Sequence, residues 1–141
     1  MAKNAYNPHG KYYLPQARQS ELYYRCLQLP EWQRELKDMD GLKGVSYDRV
    51  SRGSGTGDPT AETAIRRVML ENRIRMITET AEEVDPFLAK WIIEAVTTEQ
   101  PIYSILLLDD VPASRNQFLA RRKKFYWLLS KKLEEQEQRY S

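Results

Sequence analysis

The chain of 141 residues has one cysteine, Cys26, and one histidine, His9. A lone cysteine excludes an intrachain disulfide, and no Cys/His cluster has the spacing of a zinc site. A nucleophile and base would have to join His9, near the N-terminus, to Cys26, which lies in an apolar stripe; packing is the simpler role for that thiol. No apolar run approaches the roughly 20 residues that span a bilayer. The opening Met-Ala-Lys-Asn-Ala-Tyr lacks the apolar stretch of a signal peptide, so a cytoplasmic protein is expected. Arg52-Gly-Ser-Gly-Thr-Gly57 is glycine-rich but has no Walker lysine and no strand before it, which argues against a nucleotide loop. Glu82, Glu83 and Asp85 crowd one helix end, where they read as caps or a solvated patch and not as an opposed acid and base. The expectation is a protein without enzymatic activity, cofactor or metal.

Acidic residues are missing altogether from 113 to 133, which carries Arg115, Arg121, Arg122, Lys123, Lys124, Lys131 and Lys132. The preceding stretch, 79 to 110, is the reverse: Glu79, Glu82, Glu83, Asp85, Glu94, Glu99, Asp109 and Asp110 face Lys90 alone. A net charge of +2 therefore hides a local basic patch, the footprint of a polyanion site. The competing reading is that the two stretches neutralise each other across a helix contact.

Helical start signals recur along the chain. Pro30 opens a short helix over 30–39, after another over 16–29. Asp58-Pro59 and Asp85-Pro86 each pair a capping carboxylate with a proline suited to the first helical turn. Apolar residues follow at helical spacing: Leu22, Tyr23, Cys26, Leu27 and Leu29; Trp32, Leu36 and Met39; Ile65, Val68, Met69, Met76 and Ile77; Phe87, Leu88, Trp91, Ile92 and Ala95. All are expected in the core. Residues 102–108 form a shorter apolar segment after Pro101; periodicity alone also allows a buried strand over 105–108, and the flanking signals favour helix.

The fold class is thus all-α: a helical bundle with N-terminal helices on a Gly-rich linker and a C-terminal helix-turn-helix. The expected organisation is 1–40 as arm and short helices, 41–57 as flexible linker with its five glycines, and 58–141 as a helical domain. The tyrosines of the arm, Tyr6, Tyr12 and Tyr13, alternate with Lys3 and Lys11; they suit contact with nucleic acid or docking on the protein's own surface.

The last third carries the chemistry. Ser114 and Gln117 have the S-x-x-Q spacing of a capping box, opening a basic helix expected to run to about 138. Asp109-Asp110-Val111-Pro112 is a tight link from the segment before it. A short helix, a tight turn and a capped basic helix is how a helix-turn-helix looks in sequence. A helical wheel groups Phe118, Phe125 and Leu129 as core, with Arg122 beside them, stem packed and head outward. Asn116, Ala120, Lys123, Lys124 and Trp127 fall opposite, and Arg115, Gln117 and Arg121 flank the helix start. Arginine pairs with guanine and Asn or Gln with adenine through two hydrogen bonds in the major groove, whereas lysines suit phosphates. The candidate DNA-binding residues are Ser114, Arg115, Asn116, Gln117, Arg121, Arg122, Lys123 and Lys124.

The run Leu-Leu-Asp-Asp-Val-Pro-Ala-Ser-Arg-Asn-Gln-Phe-Leu-Ala-Arg-Arg-Lys-Lys-Phe (107–125), with the Gly/Ser-rich linker and the Asp-Pro-Thr start of a long helix, resembles the RinA/ArpU-type late transcription regulators of phages and prophages. The resemblance implies a sigma-like C-terminal helix-turn-helix, with Ser114-Arg115 as recognition-helix start and Phe118 as core anchor. It also implies transcriptional control of late phage genes. Leu108 and Pro112 stand where many such units have a small residue and a turn glycine. The expected partners are double-stranded DNA, RNA polymerase and a second copy of the chain. The second copy would dock through Trp127, Tyr126 and Leu133, or through the N-terminal helices around Tyr23, Leu27 and Trp32. Two alternatives remain: a helical interaction protein contacting RNA polymerase or a packaging enzyme without specific DNA binding, and a DNA-binding packaging subunit.

Overall fold

The computed structural model describes residues 10–45, 59–108 and 110–140. Every regular element among them is a helix: α1 (Gln16–Leu27), α2 (Leu29–Val45), α3 (Pro59–Val84), α4 (Ala89–Thr97), α5 (Ile102–Leu108) and α6 (Arg115–Tyr140). None is long and apolar enough to cross a membrane. The arm residues before Gly10, the linker from 46 to 57, Asp58 and Asp109 lie outside the described residues.

Local chemistry explains the breaks. Only Gln28 separates α1 from α2, and Pro30 in the first turn of α2 has no N–H for the preceding turn to accept. Helix α2 runs through Gly41 and Gly44, so the first five residues of the expected linker are helical. Pro59 begins α3 as its fixed φ favours. Asp85 accepts from the backbone N–H of Phe87 (2.9 Å) and of Leu88 (3.1 Å), capping the turn that leads into α4. The segment after Pro101 is helix α5 and not a strand.

The two 26-residue helices α3 and α6 pack together, with α2 and α4 also on α3. Helix α1 fits between α4 and α6, and α5 rests on α4. One hydrophobic core joins all of them. Leu22 and Cys26 come from α1, Leu29 and Trp32 from α2, Ile92 and Val96 from α4, and Phe118, Phe125 and Leu129 from α6. The helices of 16–45 therefore share the core of 59–140. Polar staples reinforce this. Arg18 donates to the buried Ser130 hydroxyl at 2.9 Å, and Arg66 holds Glu35 through two bonds of 2.7 and 3.0 Å. That pairing keeps the Glu35 carboxyl below its usual range.

Four expected core residues are exposed: Phe87, in the turn before α4, and three on α3. Ile65, Val68 and Met69 are 61%, 53% and 41% exposed, while Leu70, Ile77, Ala81 and Val84 carry the buried side of α3. The buried residues recur at intervals of seven, four and three, which defines a different stripe from the expected one. Ile77 belongs to it, and Met76 packs at its edge.

Candidate nucleic-acid interface

The site is built on the capped start and outward face of α6. Ser114 Oγ accepts from the Gln117 N–H at 3.2 Å, and Gln117 Oε1 accepts from the Ser114 N–H at 3.1 Å: the capping box closes both ways. The link before it turns on Asp110, whose φ of 54° is the left-handed conformation usually given to glycine. Val111 and Ala113 pack on the core and hold the link down. Phe118, Phe125 and Leu129 are fully buried, so the wheel read from sequence has the right phase. Their burial turns Asn116, Ala120 and Lys123 outward, with Lys124 and Trp127 half-buried on the same side.

The basic residues divide into groups with different surroundings. Arg121 pairs with Asp85 at 3.2 Å and Lys132 with Glu83 at 2.8 Å. The acidic end of α3 thus neutralises one flank of α6, as the competing charge reading anticipated for those two positions. On the outward face Lys124 and Lys131, and at the helix start Arg115, form no ion pair with a carboxylate among the described residues. Arg115 and Asn116 are exposed at the helix start, where unpaired backbone N–H groups make the potential positive. Arg122 is half-buried beside Tyr126.

An aromatic pair marks the outward face. Tyr12 meets Trp127 edge-on, with ring centroids 5.1 Å apart. Lys11 and Lys124 lie over the Tyr12 ring at 5.4 and 5.6 Å, and Lys131 over the Trp127 ring at 5.5 Å. Three ammonium groups around two edge-to-face rings combine charge for phosphates with aromatic surface for bases. Lys131 falls outside the residues chosen from sequence, although its place four residues after Trp127 was a usable signal.

The expected self-association surfaces are partly taken up by the core. Tyr126 is 4% and Leu133 8% exposed: both pack inward, and Tyr12 covers Trp127. On the N-terminal side Trp32 is 5% exposed, with the Arg25 and Arg73 guanidinium groups at 6.0 and 5.6 Å from its ring. The bundle uses Tyr126, Leu133 and Trp32 for its own core, whereas Trp127, Tyr23 and Leu27 are half-buried.

Two open grooves flank the turn at Phe87. One of about 340 Å³ lies between Asp85, Leu88, Pro112, Ala113, Gln117 and Arg121. The other, about 780 Å³, has Glu79, Glu82 and Glu83 on its rim and Trp91 and Ile93 in its wall. Phe87 reaches both and is 86% exposed. Among the described residues no three His, Cys, Asp or Glu side chains group as metal ligands. Cys26 is fully buried, and burial pushes its thiol up to about 12, so it offers no thiolate at neutral pH. Comparison with protein-family models, curated proteins and solved structures returns no match to this chain.

Proposed function

We propose that the chain is a DNA-binding transcription regulator in which α5, the Asp110 turn and α6 act as a helix-turn-helix, as the likeness to late phage regulators implies. The observation that carries this reading is the outward face of α6, where Lys124 and Lys131 form no ion pair among the described residues. Asn116 and Lys123 lie on that face and Arg115 at the helix start, while Asp85 and Glu83 neutralise Arg121 and Lys132 on another side. In this reading Arg115 and Asn116 meet base edges, and Lys123, Lys124 and Lys131 meet phosphates. Gln117 and Ser114 hold the helix start, and Arg121 is held by Asp85.

The test is binding of labelled duplex fragments from the source genome as salt is raised. With about four phosphates neutralised, the log–log slope is expected near −4. Arg115→Ala and Asn116→Ala should reduce the preference for the selected site by about 1–3 kcal/mol per lost base contact, while Lys124→Ala weakens all duplexes alike. Binding that is absent, or indifferent to salt, refutes the reading.

A second reading is a helical interaction protein that contacts RNA polymerase or a packaging enzyme without reading DNA. Two observations favour it. Phe87 is almost wholly exposed beside a carboxylate-rimmed groove, and α5 leans on α4, with little contact to α6. Salt-independent failure on every duplex, together with a polymerase or packaging partner lost on Phe87→Ala, would select it.

A further inference from the structure

We propose that the Tyr12–Trp127 patch is a subsite for a single strand of nucleic acid: an unpaired base stacks on the rings, and Lys11, Lys124 and Lys131 take the flanking phosphates. Lys124, Trp127 and Lys131 are spaced three and four along α6, which sets them on one helix face. The arm supplies the rest. The Tyr13 N–H donates to the Gly10 carbonyl at 3.4 Å, Gly10 has a φ of 89°, and Leu14 packs on the core. That anchored turn lays Lys11 and Tyr12 against α6, with the two ring centroids 5.1 Å apart.

The make-up of the patch selects the ligand. Lys11, Lys124 and Lys131 form no ion pair among the described residues, so their charge is available to an anion. Charge alone would suit any phosphate; the rings narrow the choice. In a duplex the base faces are stacked on one another, and only an unpaired base offers a face to Tyr or Trp. Tyr12 and Trp127 are both half-buried and keep open surface. The other cation-flanked tryptophans do not fit. Trp32 is 5% exposed, and Trp91 has Lys90 over its ring but shares its groove with Glu79, Glu82 and Glu83, which repel phosphate. A lysine stem is flexible, so its ammonium exchanges a ring for a phosphate without moving the helix. The patch is also distinct from the start of α6. A recognition helix meets base edges with its N-terminal residues, and Trp127 lies 12 residues, or about 18 Å of helix axis, beyond Arg115. The inference shares Lys124 and Lys131 with the duplex reading and otherwise stands apart from it.

The test is the fluorescence anisotropy of a labelled short oligothymidylate titrated with the whole chain, beside the matching oligouridylate, an abasic strand of the same length and a duplex. The strand with bases should bind about tenfold more tightly than the abasic one, because stacking adds to phosphate attraction. Tyr12→Leu should weaken it about tenfold, and Tyr12→Phe, which keeps the ring, should bind like the wild type. Tyr12 lies outside every helix, and circular dichroism verifies that both variants keep theirs. Lys131→Ala should reduce the log–log salt slope by about 0.7, the share of one phosphate on a single strand. Arg115→Ala should leave single-strand affinity unchanged. The ratio of thymidylate to uridylate affinity identifies the sugar that the subsite takes. Equal binding of the abasic strand, a Tyr12→Leu chain that binds like the wild type, or no binding to either single strand overturns the proposal. A chain that holds the single strand and refuses every duplex refutes the duplex reading and upholds the subsite; one that holds duplex alone does the reverse.

Discussion

At the scale of single residues, burial decides chemistry. Cys26 sits against Tyr126 in the centre of the bundle, and burial raises both the thiol and the phenol above their ordinary values, the thiol from 9.0 to about 12. A raised acid pKa keeps the proton on in the folded state after the unfolded chain has released it. Stability from this source is full below pH 9 and is lost as pH rises from 9 towards 12. Denaturant midpoints should fall over that window, and Cys26→Ala should flatten part of the fall while Tyr126 retains the rest. A variant with an unchanged alkaline slope would show that the thiol does not contribute. Below pH 8 native protein should also resist thiol reagents, since attack requires a buried thiolate.

At the scale of elements, the start of α6 concentrates two opposing local terms. The capping box satisfies two backbone donors, so Ser114→Ala should destabilise by about 1 kcal/mol. Asp110 holds a left-handed conformation that disfavours a side chain, so Asp110→Gly should gain roughly as much. Urea midpoints of the two variants should move in opposite directions; a shift of both the same way would mean that the turn is held by something other than backbone preference. These features differ in how readily the sequence shows them. The capping box, the proline starts and the wheel of Phe118, Phe125 and Leu129 depend on neighbours in the chain, and they were legible. The stripe of α3 was not. Ile65, Val68 and Met69 are as apolar and as regularly spaced as the buried Leu70, Ile77 and Ala81, and only the placement of α2, α4 and α6 around α3 separates the two sets. Ion pairing was equally hidden. Arg121 and Lys124 look alike in sequence, yet one meets Asp85, 36 positions away, and the other lies over Tyr12.

At the scale of the whole molecule, the shared core joins what composition separates. Leu22, Cys26, Leu29 and Trp32 fill the space between α3, α4 and α6, so a fragment that begins at Pro59 exposes the faces they cover. Such a fragment should melt well below the whole chain and without a sharp transition, because a large share of its apolar burial is gone. A cooperative melt near that of the intact chain would show that 59–141 suffices by itself. The pairing of first helix with last has a consequence in time. Helix α1 is made well before Phe118, Phe125 and Leu129 of α6, against which the core closes. At about 5–20 residues per second, the N-terminal helices wait on the order of 5 to 20 seconds before their partner is synthesised. Throughout that interval their apolar sides are open to chaperones, and the synthesis of α6 sets the moment at which the core can close.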